Sequence, residues 1–175
     1  MEIRTITLEE RPEWVRAVDL AFSAIVKDDE IEAMLPTIEI DRSFAAVDGD
    51  RFVGTAAAIT TRLVVPGGAR VPTAAVTMVG VHATHRRRGI NTAMMGAILD
   101  QAADRGEPVA ALFASEGAIY GRFGYGLAGL LGEFQADAKR MDFVRGYEPR
   151  GRVDLVSKEE AMPIVSGVFD GALRA

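Results

Sequence analysis

Three consecutive arginines and a glycine, Arg86-Arg87-Arg88-Gly89, have the type and spacing that most directly suggest chemistry in this sequence. The apolar run Ala74 to Val81 precedes them and the apolar-periodic segment Ile90 to Leu99 follows. The pattern predicts strand, tight turn, helix. Gly89 allows a tight backbone that a side chain would block. The helix start beyond it offers unpaired N–H groups and a partial positive charge. With guanidinium groups around those donors, the turn suits a phosphate or pyrophosphate. The alternative is a purely structural turn, since strand-to-helix turns with Gly and Arg are common. Neither G-x-x-x-x-G-K-[ST] nor G-x-G-x-x-G occurs, which argues against a Walker loop and a Rossmann fingerprint.

Other residue types narrow the chemistry. There is no cysteine, hence no disulfide, thiol nucleophile or Cys-based metal site. His82 and His85 lie three apart in the turn without neighbouring carboxylates, and zinc normally takes four ligands, so no metal is expected. Ser115 has no His or Asp close by in sequence to activate it as a nucleophile. Tyr120 and Tyr125 are phenols that can hold a proton, or core edges with a hydrogen-bonded tip.

These residues need elements to position them. Glu2 to Ile6 reads as a strand, and Thr7 with Glu10 as a capping box. Trp14, Ala17, Val18, Ala21, Phe22 and Ile25 recur at the spacing of one buried helix face. A shorter helix is predicted over Asp29 to Leu35, stopping before Pro36. Ser43–Val47 and Arg51–Val65 form a predicted hairpin about Asp48-Gly49-Asp50. Pro66-Gly67-Gly68 turns the chain into a strand over Arg70–Val81. A crossover helix over Asn91–Asp104 leads to an apolar strand over Val109–Phe113, parallel to the one before the helix. A short helix over Glu116–Arg122 and strands at Leu130–Ala136 and Arg152–Val156 complete the expectation. The fold class is a mixed α/β sheet, mostly antiparallel with one parallel crossover and flanking helices.

Two stretches together carry a family resemblance. Arg86-Arg87-Arg88-Gly89-Ile90-Asn91 resembles the R-x-x-G-x-[GA] coenzyme A loop of the GNAT acetyltransferases, with Asn91 departing from the usual small last residue. Ala114-Ser115-Glu116-Gly117, followed by Ile119-Tyr120-Gly121-Arg122-Phe123-Gly124-Tyr125-Gly126, is similar to the Eis (enhanced intracellular survival) branch, which acetylates amines with acetyl-CoA. These specific motifs span about residues 76–128.

The resemblance implies a GNAT-like fold and a set of roles. The backbone of Val79, Gly80 and Val81 would pair with the pantetheine amides of acetyl-CoA. Arg86, Arg87, Arg88, Gly89, Ile90, Asn91 and Thr92 would hold its pyrophosphate. Tyr120 matches the tyrosine that protonates the leaving thiolate, with Tyr125 the competing candidate. Ser115 would contact the cofactor or cap the next helix. The strand Ala74–Val81 carries no carboxylate where many GNAT enzymes place a base. In the Eis branch a far C-terminal carboxylate is implicated, a role that cannot be moved to Ala175. Asp28, Glu30 and Glu32 are the local acids on the predicted second helix. The implied acceptor is a primary amine of polyamine, aminoglycoside or lysine type. A non-catalytic coenzyme-A-binding module is the second reading, and a nucleotide-binding protein the third.

Composition sets the outer bounds. The 175 residues allow one ordinary domain, and 49% hydrophobic content argues against disorder. A net charge of −5 disfavours a nucleic-acid surface. No apolar run is long enough for a membrane span and no secretory signal is visible, so a soluble, cytoplasmic protein is expected. Val153 to Glu160 repeats the strand-and-cap pattern of Ile3 to Glu10, with Ser157 and Glu160 in place of Thr7 and Glu10. This predicts a GNAT domain over residues 1–152 and the start of a second, truncated GNAT-like unit over 153–175. Ile164, Val165, Val168, Phe169 and Leu173 would then form an uncovered apolar stripe, and a homo-oligomer is expected.

Overall fold

The computed structural model describes residues 1–24 and 27–172; Ile25, Leu173 and Ala175 of the expectations above lie outside the described residues. The chain divides into two compact units, residues 1–125 and 126–175.

In the first unit the sequence alternates between periods of two and 3.6. It forms β1 (Glu2–Thr5), α1 (Arg11–Ala21), α2 (Asp28–Met34), β2 (Ser43–Asp48), β3 (Arg51–Val64), β4 (Arg70–Val81), α3 (Ile90–Asp104) and β5 (Val109–Ala111). The strands make one five-stranded sheet in the order β1-β2-β3-β4-β5. β1 through β4 pair antiparallel, and β5 joins β4 in parallel after the α3 crossover.

Successive side chains of a strand point to opposite faces. Ala46, Ala56, Ala58, Ala74 and Val76 therefore pack beneath Ile90, Met94, Met95 and Ile98 of α3. Ala45 and Ala57 take the other face, beneath Trp14, Val15 and Val18 of α1 and Ile31 of α2. Small alanines on the strands leave room for the large helix side chains. Trp14 reaches through this layer to donate its indole N–H to the Phe44 carbonyl at 2.9 Å.

Several expectations change in three dimensions. The Glu10 carboxylate accepts the Thr7 N–H at 2.8 Å and is held by Arg4 at 2.7 Å, but α1 begins only at Arg11, with Glu10 itself as the N-cap residue and no side-chain cap from Thr7. Phe22 falls one residue past the end of α1 and is exposed rather than part of the buried face. The helix expected over Glu116–Arg122 is instead two 3-10 turns, Gly117–Ile119 and Gly121–Phe123; glycines at both starts weaken an α-helix, and Gly124 ends the segment at φ +90°.

Within the second unit, no strand forms at Leu130–Ala136 or Arg152–Val156. A strand exists through a ladder partner, which apolar alternation by itself does not supply. α4 (Lys158–Ala172) forms, with Ser157 N and Oγ both donating to Glu160 Oε2 at 2.9 Å. Ile164, Val165, Val168 and Phe169 on α4 are exposed.

Candidate active site

The site begins where two strands part. β4 and β5 are paired only at Thr73–Val109, Ala74–Ala110 and Ala75–Ala111, so β4 continues to Val81 with its outer edge unpaired. On its inner edge the register with β3 shifts between Thr55 and Ala57, and Met78 sits there at φ +54°. A bulge of this kind bends a strand and re-aims its side chains. Thr55 Oγ1 holds the bulge by donating to the Met78 carbonyl at 2.9 Å. The bend and the early end of β5 open a cleft of about 1220 Å³ in the first unit.

Two glycines bring a helix to each side of this opening. A Cβ on Gly54 would lie 2.9 Å from Ile90 Cγ2, so glycine there lets the first turn of α3 sit down on β3. A Cβ on Gly80 would lie 2.6 Å from Ala21 Cβ, so glycine lets the end of α1 reach β4.

Val79, Gly80 and Val81 line the cleft from the free edge of β4. Arg86, Arg87, Gly89, Ile90, Asn91 and Thr92 line it from the basic turn and the start of α3. Arg88 is exposed and is not among the lining residues. The turn is held by two left-handed residues, Arg87 at φ +62° and Gly89 at φ +78°. Gly89 is the N-cap of α3 and no side chain caps the helix, so its first N–H groups keep their hydrogen-bonding capacity. Asn91 Oδ1 is buried without a partner, an orphan polar group at the same helix end. Its amide, turned over, presents NH₂ donors in the same place. A free strand edge, an uncapped helix start and an unsatisfied amide fit an anionic group carried on an amide-bearing arm.

Sequence reasoning had not joined His85 to Asp48. His85 Nε2 donates to Asp48 Oδ2 at 3.2 Å, and Thr84 Oγ1 lies 2.7 Å from Nδ1 of both His85 and His82. Since the carboxylate can only accept, neutral His85 carries its proton on Nε2. Thr84 then donates to His85 and accepts from His82. This chain ties the turn to the β2–β3 hairpin. Among the described residues no group of His, Cys, Asp and Glu could hold a metal ion.

Tyr120 lines the cleft and is half-buried against the α3-side core. Burial, and then the charge of Glu116, raise its phenol above the ordinary value. Tyr125 packs edge-on to it, ring centroids 5.9 Å apart, and does not line the cleft. Its Oη is buried with no partner, and burial pushes it up to about 12. Ser115 lines the cleft, and neither following 3-10 turn carries a side-chain cap. Asp28, Glu30 and Glu32 are exposed on α2 and do not line it. Among the cleft residues that sequence reasoning missed are Phe22, Ile59 and Leu63; the end of α1 before Phe22 was the available signal.

The acetyltransferase (GNAT) domain family matches residues 2–128. The chain belongs to the GNAT family. Members of that family are acetyl-CoA-dependent N-acetyltransferases. This GNAT chain is 48% identical over 127 residues to an uncharacterized N-acetyltransferase of Streptomyces avermitilis, covering 72% of this chain and 31% of the relative. It is 50% identical over 91 residues to N-acetyltransferase Eis of Mycobacterium tuberculosis, covering 52% of this chain and 23% of Eis. The crystal structure of Eis1 from Mycobacterium abscessus superposes with a TM-score of 0.65 at 40% identity, over 72% of this chain and 32% of Eis1. The GNAT chain thus spans less than half the length of these relatives. No helix among its described residues is long and apolar enough to cross a membrane.

Proposed function

We propose that this protein moves an acetyl group from acetyl-CoA directly to a primary amine. The observation that carries the reading is the free edge of β4 running into the uncapped start of α3, with Tyr120 on the wall of the same cleft. When bound, acetyl-CoA supplies an activated acetyl thioester.

Each residue then has a physical task. The unpaired backbone at Val79, Gly80 and Val81 aligns an amide-bearing arm as a strand would. Gly89, Ile90, Asn91 and Thr92 offer N–H donors to phosphate oxygens, and Arg86 and Arg87 add charge-assisted hydrogen bonds. Arg88 adds positive potential from outside the cleft. Ser115 offers a hydroxyl at the cofactor arm. Tyr120 keeps its proton at Oη, where burial favours the neutral phenol, and holds it available for a departing thiolate.

We read residues 1–152 as the GNAT domain and 153–175 as the start of a second GNAT-like unit. The support is a glutamate that accepts the backbone N–H three residues before it in both places, Glu160 from Ser157 and Glu10 from Thr7. The exposed stripe on α4 supports association with a second copy, and the reading takes the protein as cytoplasmic.

Calorimetric titration with acetyl-CoA and ATP, followed by thiol release with an amine panel, tests the function. Binding of acetyl-CoA over ATP with amine-dependent thiol release is expected. Binding without release from any amine would leave a coenzyme-A-binding module instead.

A further inference from the structure

His85 lines the cleft, yet both nitrogens of its ring are already engaged. Nε2 donates to Asp48 Oδ2 at 3.2 Å, and Nδ1 accepts from Thr84 Oγ1 at 2.7 Å. Thr84 Oγ1 in turn lies 2.7 Å from His82 Nδ1, and the two imidazole rings stand edge to face, centroids 6.2 Å apart. The His85 side chain is 13% exposed, so its ring has little room to turn; Asp48, at the end of β2, is 52% exposed. Asp48, Thr84 and His82 do not line the cleft. Their influence on it therefore passes through His85.

The turn that follows needs such an anchor. Arg87 at φ +62° is a non-glycine residue in the left-handed region, a conformation that persists only where its surroundings impose it. Both ends of the turn are fixed on one hairpin, β2–β3. At the entry the His82 N–H donates to the Val53 carbonyl at 2.8 Å, and His85 holds Asp48. At the exit Ile90 sits on Gly54. Arg86, Arg87 and Gly89 lie between these fixed points and line the cleft. By charge alone, Asp48 opposes an anion in this turn. A hydrogen-bond anchor and a bare charge therefore have opposite effects on phosphate binding.

Resting on the acetyl-CoA reading above, we propose that Asp48 and Thr84 are positioning residues for the diphosphate of acetyl-CoA. They lock His85 at both ring nitrogens, and the locked ring holds Arg86 to Gly89 in the conformation that receives phosphate oxygens. Neither residue touches the ligand. The anchor acts on the diphosphate end of the cofactor and not on its pantetheine arm, which the free edge of β4 receives.

The test is calorimetric titration of the full chain with acetyl-CoA, S-acetylpantetheine and inorganic pyrophosphate. Asp48→Ala and Thr84→Val should each weaken acetyl-CoA and pyrophosphate about fivefold, the usual effect of one hydrogen bond. S-acetylpantetheine, which has the arm without the diphosphate, should stay within about twofold. Asp48→Asn keeps an acceptor oxygen and Thr84→Ser keeps a hydroxyl, so both should recover most of the loss. The double variant Asp48→Ala, Thr84→Val should bind little worse than either single one, because one broken link already frees the ring. Tighter pyrophosphate binding by Asp48→Ala would show a bare charge and overturn the proposal. An equal loss of S-acetylpantetheine, a general loosening of the cleft, would overturn it as well, as would a loss in Asp48→Asn as large as in Asp48→Ala. If the unmodified chain binds pyrophosphate but not acetyl-CoA, the acetyl-CoA reading fails by itself. The pyrophosphate titrations of the variants then decide the anchor: weaker binding supports it, and unchanged or tighter binding overturns it. An unmodified chain that binds neither overturns both.

Discussion

Gly80 and Ala21 meet so closely that a single added Cβ on the glycine would stand 2.6 Å from the Ala21 methyl. This contact locks the last turn of α1 to the free-edged part of β4. It therefore sets both the cleft wall and the position of Phe22, whose ring lies 3.8 Å from the same added atom. Gly80→Ala should destabilise the fold by about 1–3 kcal/mol, the usual range for overpacking, because two backbones must move apart. Urea unfolding reads this directly. An unchanged midpoint would mean that α1 shifts freely and does not fix the cleft.

Gly89 behaves differently, since open space surrounds it and its constraint is φ +78°. A β-branched residue in that conformation costs about 1–2 kcal/mol. Gly89→Val should thus lower stability and weaken acetyl-CoA binding together. Gly89→Asn, which tolerates the left-handed region, should retain more of both. Equal affinity for acetyl-CoA in all three proteins, measured by calorimetry, would remove the turn from the binding site.

The two neighbouring phenols should separate cleanly. Tyr120→Phe should keep acetyl-CoA binding and lower turnover on the order of 10²-fold. Because its phenol is held above the ordinary value near 10, the acid form persists, and no loss of turnover from Tyr120 is expected below about pH 10. Tyr125→Phe deletes a buried hydroxyl that has no partner, so it should raise stability by up to about 1 kcal/mol and leave turnover in place. Loss of turnover at Tyr125 and not at Tyr120 would reverse the two roles.

Arg42 and Glu107 form a two-pronged ion pair at 2.6 Å, with side chains only 0% and 5% exposed. It anchors the entry to β5 against β2 and β3, with Thr60 Oγ1 accepting from Arg42 at 2.9 Å. The Arg42 hydrogen bonds hold Glu107 below the usual carboxylate range. An unfolded glutamate titrates near about 4.3, so the unfolded chain takes up a proton there while the folded one does not. The stability this gives is present above about pH 4.3 and is lost as pH falls through the lowered folded value. Glu107→Gln should cost about 3–5 kcal/mol by leaving Arg42 buried and unpaired. Arg42→Met with Glu107→Leu should cost less and flatten the acid side of a stability-versus-pH curve. A slope unchanged in the double variant would assign the acid sensitivity to other carboxylates.

Local order was legible in the sequence by itself. The β2–β3 turn at Asp48-Gly49-Asp50, the α3 start at Gly89 and the Ser157–Glu160 cap depend on residues near one another in the chain. Turn conformations, caps and periodic burial are short-range effects, so neighbouring residue types suffice to predict them. Val79, Gly80, Arg86, Gly89, Asn91 and Tyr120, named through the family resemblance, line one cleft. Tertiary structure alone decided the rest. Where β5 parts from β4, how Met78 bulges, why position 80 must be glycine and how Arg42 finds Glu107 depend on pairs far apart in sequence. The same holds for Phe22, which periodicity assigned to the core and the end of α1 leaves in the cleft. The strands expected at Leu130–Ala136 and Arg152–Val156 failed for the same reason: a strand is stabilised by its neighbour, and no sequence pattern within the segment can provide one.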